Sequence, residues 1–196
     1  MLQVLITNGM YPDYEKNEMV KANIGMQDGK IAYIGAETPE ARQVIDAEGR
    51  VVSPGFIDIH MHEEDFVHEG KQFVIANMML EMGVTTAVGG NCGVQKQPLS
   101  IFKSVLNELG GSPINYLILA GYNHFRTELG IGRYAHPSQA QMDELQAIMK
   151  RELAEGAYGI SFGIEYDPGI TFDEMLWAVR ASDDPHLLVS AHYRDE

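Results

Sequence analysis

The sequence predicts an α/β protein with two units: a small all-β unit over residues 1–54, and the first strands of a (β/α)₈ TIM-type barrel over residues 55–196. Short strand-like runs separated by turns fill the first unit. Beyond Pro54, apolar strand-like runs alternate with helical patterns, which is typical of βα units on a parallel sheet. No Gly-rich phosphate loop follows these strands, which favours a barrel over a doubly wound nucleotide-binding sheet.

The β unit contains a strong hairpin signal. Asp28-Gly29 interrupts the run "KANIGMQDGKIAYIG", and this dipeptide favours a tight turn between antiparallel strands. The flanking runs "QVLITNG" and "RQVIDAEGRVVSPG" predict further short strands.

The second unit alternates five predicted strands with four predicted helices. The strand candidates are "GFIDIHMH", "VTTAVGGNCG", "INYLILAGYNHF", "AYGISFGIEY" and "HLLVSAHY". Two helices have capping-box patterns at their N-termini, Ser138 with Gln141 and Thr171 with Glu174. The other helices are predicted over 72–82 and about 100–109, and the glycines expected to end helices are Gly83, Gly110, Gly111 and Gly156.

The composition excludes several kinds of partner. Twenty-eight acidic against fourteen basic residues give a net charge of -14, which repels nucleic-acid phosphates and anionic membrane surfaces. No secretory signal pattern and no run of about 18 apolar residues is present. We therefore expect a cytoplasmic protein that acts on a small molecule, and the sequence is compatible with a homo-oligomer. A single cysteine, Cys92, excludes an intrachain disulfide.

Two histidines follow the first strand of the second unit. On a strand, residues i and i+2 point to the same face, so His60 and His62 are expected to project together, with about 6.6 Å of strand rise between them. They lie at the C-terminal end of the strand, where barrel enzymes assemble their sites. A pair of histidines on an exposed loop is the alternative, and the placement after "PGFID" favours metal ligands.

Two further candidate ligands lie at other strand ends. Cys92 closes the second strand between glycines, and a thiolate is a good zinc ligand, although a buried cysteine is more often inert. His192 closes the fifth strand. We therefore interpret His60, His62, Cys92 and His192 as candidate metal ligands.

Other polar residues at the strand ends are candidates for contacts with a substrate. Glu165 and Tyr166 end the fourth strand, and Arg194 follows His192 in phase and offers a bidentate fork to a carboxylate. His124 borders the same mouth or lies on an ordinary loop. We interpret the remaining histidines, His68, His136 and His186, as surface residues.

Taken in order, these motifs resemble the metal-dependent amidohydrolase superfamily, and specifically its N-acyl-D-amino-acid deacylase, or D-aminoacylase, branch. The amidohydrolase motif is "VVSPGFIDIHMH", and the deacylase motifs are "GVTTAVGGNCG", "GAYGISFGIEYDPG" and "SAHYRDE". The resemblance spans essentially the whole chain. It implies that residues 1–54 are a portion of a small β-sandwich.

The resemblance also implies a zinc centre of one or two ions. By position, His60, His62, Cys92 and His192 match metal ligands of that family. Related enzymes use a carboxylated lysine from the fourth strand, and the absence of lysine from "GAYGISFGIEYDPG" favours the cysteine type. One motif differs from the family pattern. Where the family has G-H-x-x-[LV]-R, this sequence has Tyr122 after Gly121, and its histidine is His124.

The implied reaction is hydrolysis of the amide bond of N-acyl-D-amino acids by a metal-bound hydroxide. Five strands are fewer than the eight of the family barrel, so we expect the sequence to be the N-terminal portion of a longer enzyme, with the general-base aspartate and a further ligand histidine beyond it. Two alternatives remain. One is a dihydroorotase-like or hydantoinase-like enzyme acting on cyclic amides, and the other is a noncatalytic amidohydrolase-like scaffold.

Overall fold

A computed structural model describes residues 1–194 of the chain. The chain forms two compact units, Met1–Pro54 and Gly55–Glu196. The last two residues of the motif "SAHYRDE", Asp195 and Glu196, lie outside the described residues.

The first unit contains a four-stranded sheet in the order β3-β2-β1-β4. Its strands are β1 (Leu2–Asp13), β2 (Glu18–Gln27), β3 (Lys30–Gly35) and β4 (Ala41–Asp46). The predicted hairpin is confirmed, because Asp28 and Gly29 join the antiparallel strands β2 and β3 with φ angles of 51° and 70°. Positive φ at both turn residues is the geometry that Asp-Gly favours in a two-residue hairpin turn.

The second unit is built on a five-stranded parallel sheet in which the strands follow one another in chain order. Its strands are β5 (Phe56–Asp58), β6 (Val84–Gly89), β7 (Asn115–Gly121), β8 (Gly159–Gly163) and β9 (Leu188–His192). Sequential parallel order is that of a barrel wall. Within residues 1–194 the sheet does not close, so the structure is a partial barrel, as predicted.

Five α-helices connect these strands. They are α1 (Ile75–Glu81), α2 (Leu99–Glu108), α3 (Tyr122–Glu128), α4 (Gln139–Ala154) and α5 (Phe172–Val179). None of the helices in the described part of the chain has the length and apolar character needed to cross a membrane. Helix α3 was not predicted, and it places His124 on a helix rather than on a loop.

The signals at the helix ends explain most of the helix boundaries. The capping box of α4 is complete, since Ser138 and Gln141 exchange side-chain and backbone hydrogen bonds. At α5 only half of the predicted box forms: Thr171 Oγ1 accepts the backbone N–H of Glu174 at 3.2 Å, but the Glu174 carboxylate is directed into the core. Gly83 follows α1 with a φ of 85°, in the left-handed region where glycine is favoured.

Strand β5 is shorter than predicted. It ends at Asp58, so the expectation that His60 and His62 lie on the strand is wrong. The reason is local, because Asp58 Oδ1 accepts the backbone N–H of His60 at 2.9 Å and turns the chain. The Met61 N–H then donates to the Val88 carbonyl at 3.0 Å and holds the loop against β6.

The alternation of side chains nevertheless continues past the end of β5. Met61 is buried in the core formed with α1 and β6, whereas His60 and His62 on either side of it are exposed. The two imidazoles therefore share one side of the loop, as the period of two predicts. Their ring centroids are 6.0 Å apart.

Candidate metal centre

The side chains of His60, His62 and Cys92 converge at the carboxyl ends of β5 and β6. The ligand atoms that they offer, one from each residue, all lie within 4.8 Å of one another. His60 Nε2 lies 3.2 Å from Cys92 Sγ. We call these three residues the His–Cys cluster. Two imidazole nitrogens and a sulfur at this separation form a donor set that suits zinc.

A left-handed turn presents the Cys92 thiol to the two histidines. Gly90, Cys92 and Gly93 have φ angles of 72°, 58° and 69°. A Cβ at Gly90 would lie 2.0 Å from the Leu119 carbonyl oxygen, so only glycine fits there. Cys92 itself is a non-glycine residue in a conformation that L-residues rarely adopt. Such backbone strain is concentrated at functional sites, and here it places a buried thiol at the cluster.

Buried hydrogen bonds hold this turn in place. Glu63, which is 2% exposed, accepts the backbone N–H of Gly90 at 2.7 Å and that of Lys96 at 2.8 Å. Ser161 Oγ accepts the N–H of Gly93 at 3.0 Å and donates to the Gly90 carbonyl. The acid directly behind His62 therefore supports the cysteine turn, a role that the sequence analysis did not identify.

Glu64, the next acid, is also buried. It accepts the backbone N–H of Ala76 at 2.9 Å, and burial raises the pKa of its carboxyl group. The acidic run after His62 therefore splits. Two carboxylates turn inward, and Asp65 bonds the exposed His68 at 2.9 Å.

His192, the predicted ligand at the end of β9, adjoins the cluster through Cys92. Its Nδ1 lies 3.5 Å from Cys92 Sγ. Tyr166 packs against the imidazole with a ring-centroid distance of 4.7 Å, and its hydroxyl lies 3.3 Å from the same Nδ1. Glu165 Oε2 lies 2.5 Å from the other ring nitrogen, Nε2. The fold thus brings Glu165, Tyr166 and His192 together with Cys92.

The sulfur–nitrogen separations at Cys92 are close to those of ligands bound to one tetrahedral zinc ion. With zinc–sulfur and zinc–nitrogen bonds of about 2.3 and 2.0 Å, a sulfur and a nitrogen bound to the same tetrahedral ion lie about 3.5 Å apart. The two nitrogens nearest Cys92 Sγ lie at 3.2 and 3.5 Å, and they belong to His60 and His192. His60 and His192 therefore each lie at a distance from the thiol that suits a ligand sharing an ion with Cys92.

Burial favours the neutral forms of two members of the cluster, Cys92 and His62, before metal binding. Desolvation raises the pKa of the Cys92 thiol and lowers the pKa of the His62 imidazole. Neutral imidazole is the form that ligates metals, whereas the thiol must lose its proton to do so. The phenol of Tyr166 also stays protonated, since desolvation and the nearby Cys92 and Glu165 raise its pKa.

The other predicted residues lie outside this group. Arg194 donates from Nη2 to the Ile170 carbonyl at 2.7 Å and lines a separate cleft beside α5. His124 Nε2 lies 3.5 Å from Glu128 on the same helix. His136 bonds the Gly169 carbonyl at 3.0 Å, and His68 and His186 are exposed.

A cleft of about 570 Å³ opens beside Cys92. Its walls come from the cysteine turn, from α3 and from the segment after β8, and they include Cys92, Asn123, His124, Arg133, Tyr166 and Asp167. The Arg133 side chain donates to the Tyr166 carbonyl at 2.5 Å. A small molecule in this cleft would lie next to the thiol of the cluster.

A buried ionic network includes Asp167 from the wall of this cleft, whose Oδ2 lies 3.8 Å from Arg126 Nη1. We call Tyr122, Arg126, Asp167 and Glu174 the Arg126 network. Arg126 is fully buried, and its Nε lies 2.8 Å from Glu174 Oε1. Its other two nitrogens donate to the Gly132 and Ala135 carbonyls. Tyr122, the residue that departs from the family motif, donates to Glu174 at 3.0 Å, and burial raises its pKa.

Comparisons with known proteins agree with this fold. Residues 43–103 match the model of the amidohydrolase family. The chain is 28% identical over its full length to N-acyl-D-glutamate deacylase and 25% identical over 98% of its length to D-aminoacylase, both from Alcaligenes xylosoxydans xylosoxydans. It covers 44% of each of these relatives, so it spans less than half of their length.

Solved structures give the same result. The N-acyl-D-glutamate deacylase of Bordetella bronchiseptica, complexed with zinc and a phosphonate inhibitor that mimics the tetrahedral intermediate, matches with a TM-score of 0.82 and 28% identity. The crystal structure of a D-aminoacylase matches with a TM-score of 0.87 and 25% identity. Both matches cover the whole of this chain and 46% of the solved one. These matches support the D-aminoacylase branch of the amidohydrolase superfamily as the group that the chain resembles.

Proposed function

We propose that the full-length protein hydrolyses the amide bond of N-acyl-D-amino acids at a zinc centre held by His60, His62, Cys92 and His192. The observation that carries this proposal is the convergence of the His–Cys cluster, with all three ligand atoms within 4.8 Å and the His192 imidazole 3.5 Å from the same sulfur. Its similarity to deacylases of D-amino-acid derivatives supports the choice of substrate.

Zinc bound there would polarise the scissile carbonyl and lower the pKa of a bound water to near 7. The residues of this chain would contribute by binding and orienting. His60 and His62 present imidazole nitrogens, and the turn held by Glu63 presents the thiol. The cleft beside Cys92 gives a small substrate room next to the centre, with the Tyr166 hydroxyl as a hydrogen-bond donor on its wall.

A substrate panel tests the reaction. Full-length protein reconstituted with zinc is incubated with N-acetyl-D-amino acids, their L-enantiomers, a hydantoin and dihydroorotate, and released amine or ring opening is measured. We expect release from the D-substrates. Preferential opening of the cyclic amides would instead indicate a dihydroorotase-like or hydantoinase-like enzyme. If the zinc-loaded protein hydrolysed none of these compounds, the result would indicate a noncatalytic scaffold.

Substitutions test the ligand assignment. Cys92→Ser and His60→Ala are each expected to weaken zinc binding and to abolish hydrolysis. His68→Ala is the matched control, because His68 is an exposed histidine that contacts Asp65 and not the cluster. Retention of both zinc and hydrolysis in Cys92→Ser and His60→Ala would overturn the assignment.

A further inference from the structure

Glu165 contacts the His192 imidazole through the ring nitrogen that does not face the cluster. Glu165 Oε2 lies 2.5 Å from Nε2, whereas Cys92 Sγ lies 3.5 Å from Nδ1. The Glu165 side chain is 54% exposed, so burial does not force this contact. Glu165 follows β8 and His192 ends β9, so the contact joins neighbouring strand ends.

The contact determines which ring nitrogen carries the proton. An ionised carboxylate has only lone pairs to offer, and an unprotonated ring nitrogen also presents a lone pair. At 2.5 Å two lone pairs repel each other, so Nε2 must carry the hydrogen. In a neutral imidazole the lone pair is then on Nδ1.

The surroundings of Nδ1 agree with this tautomer. Two groups that can donate a hydrogen, the Cys92 thiol and the Tyr166 hydroxyl, lie 3.5 and 3.3 Å from it. A lone pair on Nδ1 can accept from both, whereas in a neutral ring a hydrogen on Nδ1 would leave Nε2 unprotonated against the carboxylate. The same lone pair is what a metal beside Cys92 would bind.

We propose that Glu165 is a positioning residue for the metal centre, which holds His192 as the Nε2–H tautomer and thereby aims Nδ1 at the ion that Cys92 binds. This inference rests on the zinc centre of the proposed function. It replaces the expectation that Glu165 contacts the substrate. Carboxylates that fix the tautomer of a ligand histidine typically change metal affinity by about 10- to 100-fold.

The chain provides a matched control for this role. Glu128 lies 3.5 Å from His124 Nε2, and its side chain is also 54% exposed. His124 is not a member of the cluster, so removing the Glu128 carboxylate should not affect the metal. The two glutamates therefore differ in the histidine that they face and not in exposure.

Two measurements on the full-length protein test the proposal. The first is zinc affinity, by competition with a chromophoric chelator. We expect Glu165→Ala to bind zinc about 10- to 100-fold more weakly than the unsubstituted protein, Glu165→Gln to show a smaller loss in the same direction, and Glu128→Ala to show none. Equal affinities for the unsubstituted protein and Glu165→Ala would overturn the proposal.

The second measurement is the tautomer of His192 in the metal-free protein, from long-range proton–nitrogen NMR correlations of nitrogen-15-labelled histidines, assigned with His192→Gln. We expect an Nε2–H signal that becomes mixed in Glu165→Ala. A His192 that is Nδ1–H in the unsubstituted protein would contradict the inference. If the unsubstituted protein bound no zinc, the proposed function would fail, and the tautomer would still decide the role of Glu165.

Discussion

Two groups of polar side chains in the second unit have opposite chemistry. In the Arg126 network a buried guanidinium meets Glu174 at 2.8 Å, and all three of its nitrogens face carboxylate or carbonyl oxygens. In the His–Cys cluster, two imidazoles and a thiol face one another. The first group pairs a buried cation with oxygen atoms of the protein itself. The second consists of electron-pair donors that are directed at a common point.

This difference separates a structural network from a binding site. A buried charge whose partners are all within the protein has no further ligand to recruit, and it is expected to stabilise one arrangement of the fold. Donor groups that converge are suited to a cation from solution.

The largest expected effect is on the Arg126 network. Arg126→Met keeps much of the side-chain volume but leaves the Glu174 and Asp167 carboxylates without their buried cation. We expect the free energy of unfolding to fall by about 3–5 kcal/mol, measured by urea denaturation of the full-length protein. In the control, Arg151→Met, a side chain that is 60% exposed and 4.0 Å from Glu152 is replaced. Equal losses in the two variants would show that the network is not structural.

The next effect is on the cluster. Cys92→Ser removes the single cysteine thiol of this sequence. We expect zinc affinity to fall on the order of 100-fold, about 2.7 kcal/mol, because one of four strong ligands is lost. Isothermal titration with zinc measures it. Folded Arg126→Met protein should bind zinc with the affinity of the unsubstituted protein. A similar loss of zinc affinity in Arg126→Met would show that the two groups are energetically coupled.

Glu63 connects the buried interior to the cluster. Glu63→Gln retains one acceptor oxygen for the N–H groups of Gly90 and Lys96 and turns an amide donor towards the other. We expect a loss of about 1–3 kcal/mol in the free energy of unfolding, together with weaker zinc binding. Glu69→Gln, at an exposed position six residues on, is the control. Unchanged zinc affinity in a destabilised Glu63→Gln would separate the turn from the metal.

The smallest effect concerns Glu64 and depends on pH. Burial raises the pKa of Glu64 above its ordinary value of 4.5 in the folded state, so ionisation is less favourable in the fold than in the unfolded chain. Its contribution to stability is full below the ordinary value and is lost as the pH rises through the raised pKa. Glu64→Gln does not titrate, so we expect it to gain stability relative to the unsubstituted protein over that range. Denaturation at a series of pH values measures this difference, and a constant difference would contradict the raised pKa.

Local sequence signals predicted much of this architecture. The Asp28-Gly29 turn, the capping box of Ser138 and Gln141, and the glycine after α1 each depend on residues close in sequence. The sequential order of the parallel strands in the second unit agrees with the predicted barrel wall. The end of β5 could not be predicted, because it depends on whether the His60 N–H donates to the Asp58 carboxylate or to a neighbouring strand.

Long-range contacts account for the other features that sequence patterns missed. Glu63 meets Gly90 across 27 residues, and Arg126 meets Glu174 across 48. The sequence of the acidic run after His62 does not indicate that the Glu63 and Glu64 carboxylates are buried. Glu174 was predicted to complete a capping box, and its use by Arg126 instead reflects a tertiary contact that overrides a local one.

X-ray absorption at the zinc edge of the full-length, zinc-loaded protein tests the central claim most directly. We predict one sulfur in the first coordination shell at about 2.3 Å, together with nitrogen or oxygen ligands at about 2.0–2.2 Å, and loss of the sulfur in Cys92→Ser. A shell of nitrogen and oxygen alone in the unsubstituted protein would contradict the assignment of Cys92 and, with it, the metal centre proposed at the carboxyl ends of these strands.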